Sequence, residues 1–245
     1  MVIVTLPAYN EEATLATLLE RIRESMEENE IEYRVIVVND GSSDGTGEIV
    51  DRMRDSIPVR RIDHATNRGL GEAIRTGLLA AIEGSKDRDI IVTMDSDNTH
   101  TPGLIARMVR TIREGNDVVI ASRFQPGAHV RGVPLYRRVL SRVGSLMFRV
   151  AFPTPGVRDF TSGYRAYRAE VVKQAFDTYG GAFVAESGFS CMVDILLKLR
   201  RLEAIMSEVP LVLRYDMKFG VSKMLVVRTI ADTLKLLVSR RLGLG

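Results

Sequence analysis

The chain has 245 residues, 45% hydrophobic and 27% charged, the balance of a folded globular protein and not of a disordered or fibrous one. Thirty-four basic residues against 31 acidic leave a formal charge of +3. With 6% aromatic residues and no aromatic ladder among the basic ones, nucleic-acid binding is not expected. The single cysteine, Cys191, excludes an intramolecular disulfide framework and a cysteine-built zinc site, and suits a reducing, cytoplasmic compartment.

The longest run without a charge, Met1–Asn10, falls short of the about 20 apolar residues that span a bilayer. It lacks a basic leader and reads as a buried strand, not a signal peptide. Further β-branched runs are Arg34–Val38, Val59–Ile62, Ile90–Met94 and Val118–Ala121. Between them Ala13–Met26, Gly45–Arg54, Leu70–Ile82 and Pro102–Arg113 carry apolar residues at helical spacing. This alternation predicts an α/β fold, a mostly parallel sheet with helices on both faces. In the second half Arg123–Val133 reads as a loop, Pro134–Phe152 as a helix and Asp159–Arg165 as a polar turn. Ser187–Arg201 reads as a helix, Ile205–Leu213 as a strand, Lys218–Lys223 as a loop and Met224–Arg241 as a last amphipathic helix.

Ligands of parallel sheets bind at the carboxyl ends of strands. Three polar clusters follow predicted strands: Pro7-Ala8-Tyr9-Asn10-Glu11, Asn39-Asp40-Gly41-Ser42-Ser43-Asp44, and Asp95-Ser96-Asp97 with His100 nearby. They are expected to converge on one sheet edge. Adjacent carboxylates such as Asp95 and Asp97 are costly unless a cation joins them, and a hard divalent ion uses such oxygens together with phosphate and water. Asp40 is read as a ligand for a base N–H or a ribose hydroxyl, and Asp44 as a helix cap. Tyr9 suits a base and Glu11 a ribose; for Asn10 a cap and a ligand role both stand. His64 and His129 read as surface or loop histidines.

These clusters, with Asn67-x-Gly69-x-Gly71-x-Ala73-x-x-x-Gly77, resemble the family 2 glycosyltransferases of the GT-A fold, a Rossmann-like α/β architecture. The resemblance implies a nucleotide-sugar donor held by Pro7, Ala8, Tyr9, Glu11, Asp40, Asp95 and Ser96. It also implies Mg²⁺ or Mn²⁺ on Asp95 and Asp97. Ser122-Arg123-Phe124, Arg137, Ser141, Asp159-x-Thr161-Ser162-Gly163-Tyr164-Arg165 and Gly220-x-Ser222-Lys223 are similar to the polyprenyl-phosphate sugar synthases, dolichyl-phosphate mannose synthase among them. That branch implies a lipid phosphate acceptor, with Arg123, Arg137, Ser141 and Lys223 on phosphate groups. Asp97 and Arg123 are then the expected catalytic residues, and GDP-mannose or a UDP-sugar the expected donor, with mannose or glucose transferred. An acceptor phosphate is already anionic and needs no strong base; a sugar hydroxyl acceptor would, with Asp159 the candidate. A non-catalytic nucleotide-sugar binding subunit is the third reading.

The sequence departs from that branch at Thr99, where Gln is usual, at Asn39, where Asp is common, at Asp194, where a longer acid is common, and at Met217, where Arg is common. Residues 1–221 read as the glycosyltransferase domain and 222–245 as an amphipathic helix. That helix and the Pro134–Phe152 helix join apolar stripes to basic flanks, which suits a membrane interface. The expected location is peripheral, on the cytoplasmic membrane face. Spanning helices, which many relatives carry, are not visible, so a soluble form or a membrane partner subunit is expected.

Overall fold

The computed structural model describes residues 1–188 and 190–215, with the side chains of Tyr136, Arg137, Arg138 and Leu140 outside that description. The predicted loop and helix over residues 218–241, including Lys223, lie outside the described residues, as does the boundary at residue 221.

The first half alternates as its periodicity requires: β1 (Val2–Ala8), α1 (Leu15–Glu28), β2 (Tyr33–Asn39), α2 (Thr46–Met53), β3 (Val59–Asp63), α3 (Leu70–Ile82), β4 (Ile90–Thr93), α4 (Leu104–Arg113) and β5 (Val118–Ser122). Then follow β6 (His129–Arg131), α5 (Leu135–Ala151), β7 (Arg165–Arg168), α6 (Ala169–Tyr179), a 3₁₀ turn over Gly180–Val184, α7 (Ser190–Arg201), β8 (Met206–Pro210) and β9 (Val212–Arg214).

The main sheet has the order β3-β2-β1-β4-β7-β5-β8, and β6 pairs with β9 in a second, two-stranded sheet. All pairings in the main sheet are parallel except those of β7, which inserts antiparallel between β4 and β5. The sequence pattern does not predict the strand and helix over 165–179. The predicted strand over 205–213 is two, split after Pro210.

Two cores cover the two faces, and strand pleating assigns residues to them. Val2, Val4, Leu6, Val35 and Val37 point toward α1, α2 and α4. Ile3, Ile36 and Val38 point toward α3, and the same core continues through α6 and α7. Helix α4 buries Ile105, Met108, Val109 and Ile112, a 3.6-residue stripe worth roughly 1.5–3 kcal/mol per side chain. Gly77 lets α3 lie close to the sheet, since a Cβ there would stand 3.3 Å from Thr5 Cβ.

Helix α5 is different. Ser145 and Phe148 are its buried residues among those described, while Leu135, Val139, Val143, Leu146 and Val150 are exposed.

Candidate active site

Strand order places the ends of β2, β1 and β4 side by side, so the three polar clusters meet. Asn10, in the left-handed region at φ 53°, accepts the Ser43 N–H at 2.8 Å, and its own N–H donates to Ser42 Oγ at 3.0 Å. The Glu11 N–H donates to Thr46 Oγ1 at 2.9 Å. Asp44 accepts the Thr46 N–H at 3.1 Å from one residue before Gly45, which is the N-cap of α2, so the expected side-chain cap is not formed in the regular position. Ser96 donates to the Pro7 carbonyl, and its own carbonyl accepts from Thr14 Oγ1 at 3.1 Å. Ser96 is therefore a buried stitch between the first and third clusters. Pro7 is half-buried, Ala8 is buried and Tyr9 is exposed, so Tyr9 presents its ring at the strand ends.

Asp40 turns inward. It is 3% exposed; Oδ1 accepts the Arg68 N–H at 2.9 Å and Oδ2 the Gly69 N–H at 2.8 Å. His64 Nδ1 lies 2.6 Å from Oδ1, and His64 Nε2 lies 2.9 Å from Thr76 Oγ1. The simplest consistent assignment has Nδ1–H donating to Asp40 and Nε2 accepting from the threonine. The Asp40 carboxylate, read from the sequence as a ligand for a base or a ribose, is buried against these donors and fixes the 64–69 loop. His64, read as a surface or loop histidine, lies in the loop after β3 but is buried; His129 is exposed, on β6.

At the end of β4, Asp97 Oδ1 accepts the Thr99 N–H at 3.2 Å and the Thr99 hydroxyl at 2.7 Å. Asp95 is about one-third exposed, with Oδ2 3.9 Å from His100 Nε2. The Asp95 N–H donates to His100 Nδ1 at 3.3 Å, which leaves the ring proton on Nε2, facing the carboxylate. His100 stacks on Tyr164, ring centres 4.9 Å apart. Among the described residues no three His, Cys, Asp or Glu side chains form a metal cage. The pair fits the other arrangement, in which one or two carboxylates share a hard cation with substrate phosphates. Gly163 lies directly against Asp95, where a Cβ would come within 3.3 Å of Oδ1.

Arg123 follows β5. Its Nε donates to Asp159 Oδ2 at 2.8 Å, and its Nη2 donates to Asp159 Oδ1 at 2.7 Å and to Thr161 Oγ1 at 2.6 Å. Asp159 also accepts the N–H groups of Arg123, Thr161 and Ser162. Burial pushes the Asp159 carboxyl up, but the Arg123 charge and these donors outweigh it and hold it below the ordinary carboxylate range. Burial lowers the Arg123 guanidinium, and the charges of Asp159 and then Asp95 more than restore it. Asp95 is thus close enough to sense Arg123 electrostatically.

Beside Arg123 opens a cavity of about 360 Å³ lined by Phe124, Gln125, Pro126, Arg142, Ser145, Leu146 and Arg149. Arg137 and Ser141 lie on the same helix α5, and the buried Ser141 hydroxyl has no hydrogen-bond partner among the described residues. Asp194 is fully buried and pairs with Lys198 one helical turn on. Sequence reasoning missed Glu208, buried behind Asp159. Its signal was the lone charged residue inside a mostly apolar predicted strand.

Parallel strands ending in paired carboxylates, with a polar edge beside them, are the arrangement of the GT-A glycosyltransferase fold. Solved structures share this architecture. The glucosyl-3-phosphoglycerate synthase of Mycobacterium tuberculosis, in complex with Mn²⁺, UDP and glucosyl-3-phosphoglycerate, superposes with a TM-score of 0.68 at 22% identity, covering 99% of this chain and 80% of that one. The same enzyme with Mg²⁺ and UDP gives 0.69 at 22% identity, over 99% and 79%.

The chain belongs to glycosyl transferase family 2, whose model matches residues 3–176. It is 34% identical over 224 residues to the undecaprenyl-phosphate mannosyltransferase of Micrococcus luteus, covering 91% of this chain and 87% of that protein. It is 32% identical over 224 residues to the polyprenol monophosphomannose synthase of Mycolicibacterium smegmatis, 91% and 80% covered. The dolichol-phosphate mannosyltransferase of Pyrococcus furiosus is 32% identical over 196 residues, 80% of this chain but 52% of that protein, so the chain spans about half its length.

Proposed function

We propose that the protein transfers a sugar, mannose or glucose, from GDP-mannose or a UDP-sugar to a polyprenyl phosphate, inverting the anomeric centre. The single observation carrying this reading is the Arg123–Asp159 pair. The carboxylate that a hydroxyl acceptor would need as its base is buried, saturated with donors and held ionised by an arginine. Such a group is a poor proton acceptor. A lipid phosphate brings its own anionic nucleophile and needs cations instead. Arg123 supplies one near Asp95, and the cavity adds Arg142 and Arg149. The mannosyltransferase names of the relatives support the same substrate class.

Asp95 and Asp97 are proposed to hold Mg²⁺ or Mn²⁺ with the donor diphosphate. A cation held there would supply charge neutralisation for the departing nucleoside diphosphate. Tyr9, Glu11, Pro7 and Ala8 are proposed to hold the nucleoside, with Asp40 and Ser96 acting through the backbone they fix. Arg123, Arg137, Ser141 and Lys223 are proposed to position the acceptor phosphate. Among the described residues no helix is long and apolar enough to cross a membrane. The proposed membrane contact is peripheral, through the exposed apolar stripe of α5 at the cytoplasmic face, and no nucleic acid is involved.

The test is incubation with Mg²⁺ or Mn²⁺, labelled nucleotide sugars and a short polyprenyl phosphate, followed by organic extraction. Label in the organic phase with one donor supports the reading and identifies the sugar. Label that stays aqueous with every donor, despite donor binding, overturns it in favour of a soluble acceptor or a binding subunit.

A further inference from the structure

We infer that Glu208 is a positioning residue of the acceptor site, holding the loop that carries Asp159 and, through Asp159, the guanidinium of Arg123. This inference rests on the reading of Arg123 as the acceptor-phosphate group. Glu208 lies on β8 opposite Ile120 of β5 and is 9% exposed. One oxygen, Oε1, accepts two consecutive backbone N–H groups, that of Arg158 at 2.5 Å and that of Asp159 at 2.6 Å. Consecutive N–H groups of this kind form a small anion-binding concavity, or nest; here a side chain of the same chain fills it.

The rest of the loop is held from two other sides. Ser145 of α5 donates its hydroxyl to the Arg158 carbonyl. Gly156, at φ +79°, lies so close to β8 that a Cβ would stand 2.1 Å from the Met206 carbonyl oxygen. Glu208 therefore sets where the Asp159 backbone starts, and the Asp159 side chain sets where Arg123 ends, by its paired bonds to Nε and Nη2.

The surroundings also say what Glu208 is for. A buried carboxylate is expensive unless each oxygen is satisfied. Oε2 is buried with no hydrogen-bond partner among the described residues. No cationic side chain pairs with Glu208 among the described residues' ion pairs. The group acts as a hydrogen-bond acceptor of the right length and not as a charge. A glutamine offers the same acceptor at the same reach.

The experiment compares the full chain with Glu208→Gln, Glu208→Ala, Glu208→Met and Arg123→Ala. The readouts are kcat and KM for a short polyprenyl phosphate, donor affinity, and amide hydrogen exchange over residues 153–163. Glu208→Gln is expected to keep the acceptor KM within about two-fold, because the acceptor oxygen is retained. Glu208→Ala and Glu208→Met are expected to raise it about ten-fold or more, as misplacement by a fraction of an ångström does. Among the three Glu208 variants donor affinity stays unchanged, and exchange over 153–163 accelerates in the alanine and methionine variants only. The methionine variant keeps the side-chain volume, so it answers the question if alanine does not fold. Wild-type exchange and acceptor KM in both would overturn the inference, as would a glutamine variant as impaired as alanine. If Arg123→Ala leaves the acceptor KM unchanged, or the wild type transfers nothing to the lipid phosphate, the acceptor reading fails. Exchange over 153–163 still decides the role of Glu208 in that case, and unchanged exchange overturns it independently.

Discussion

The guanidinium of Arg123 and the carboxylate of Asp159 are joined by two parallel bonds of 2.8 and 2.7 Å, and Asp159 also accepts the backbone N–H of Arg123 at 3.0 Å. One carboxylate thus fixes both ends of the arginine, its main chain and its head. Removing it leaves a mostly buried cation without its partner. Asp159→Ala is expected to cost about 3 kcal/mol of stability, at the low end for a broken buried pair because Arg123 keeps some solvent contact. Urea unfolding measures this. A loss under about 1 kcal/mol, the range of an exposed pair, would show that the pair relaxes freely into water.

The same pair has a pH signature. The folded Asp159 carboxyl titrates below its unfolded value, so its stabilisation is present above the unfolded carboxyl pKa of about 3.9 and is lost as pH falls through the folded one. Asp159→Asn should therefore flatten the acid limb of the stability curve. Glu208 has the opposite sign. Burial pushes its carboxyl up, the N–H groups of Arg158 and Asp159 pull it back, and the Asp159 charge pushes it up again, for a net rise. The folded state then binds that proton more tightly than the unfolded one. Its contribution is largest below the unfolded pKa of about 4.3 and declines as pH rises toward the folded value. Glu208→Gln should gain stability relative to wild type as pH rises from about 4 to about 7, read by thermal unfolding across pH. A constant difference would refute this.

Gly156 and Gly84 both have positive φ, +79° and +68°, but only Gly156 faces an obstacle: a Cβ would meet the Met206 carbonyl oxygen, whereas nothing lies within 4 Å at Gly84. Gly84→Ala should cost about 1 kcal/mol from backbone strain alone. Gly156→Ala should cost about 2–3 kcal/mol and weaken the acceptor KM, since the loop must leave β8. Thermal unfolding compares the two. Equal losses would mean the loop yields without penalty.

Leu135, Val139, Val143, Leu146 and Val150 form an exposed stripe on α5, with Arg142 and Arg149 beside it. Val143→Asp with Leu146→Asp should reduce binding to vesicles of anionic lipid about ten-fold or more, since charge on the apolar face of an interfacial helix opposes insertion. Fold stability should hold, because neither side chain packs in the core. Vesicle flotation measures the first and circular dichroism the second. Undiminished flotation would place the membrane contact elsewhere on the chain.

Much of the catalytic half is legible in the sequence alone. β-branched runs and 3.6-residue stripes are local signals, and β1 to β5 and α1 to α4 lie within about two residues of their expected bounds. The meeting of Pro7–Glu11, Asn39–Asp44 and Asp95–Asp97 follows from strand ends alone. β7 is not legible: Arg-Ala-Tyr-Arg carries charge at a position that is buried, and Arg165 is accommodated only because Met192 and Phe160 offer carbonyl oxygens to its guanidinium. Nor can local pattern reveal that this strand enters antiparallel between β4 and β5.

The same division runs through the site. Residue types and spacing by themselves determined the fold class, the sheet edge and the paired carboxylates, because each is a property of neighbours in the chain. Only the tertiary structure decided that Asp40 faces inward to Arg68 and Gly69, that Asp159 is spent on Arg123, and that Glu208 stands behind both. Those roles depend on donors brought from 28 to 50 residues away, and such donors turn a buried carboxylate from a reactive group into a fixed strut.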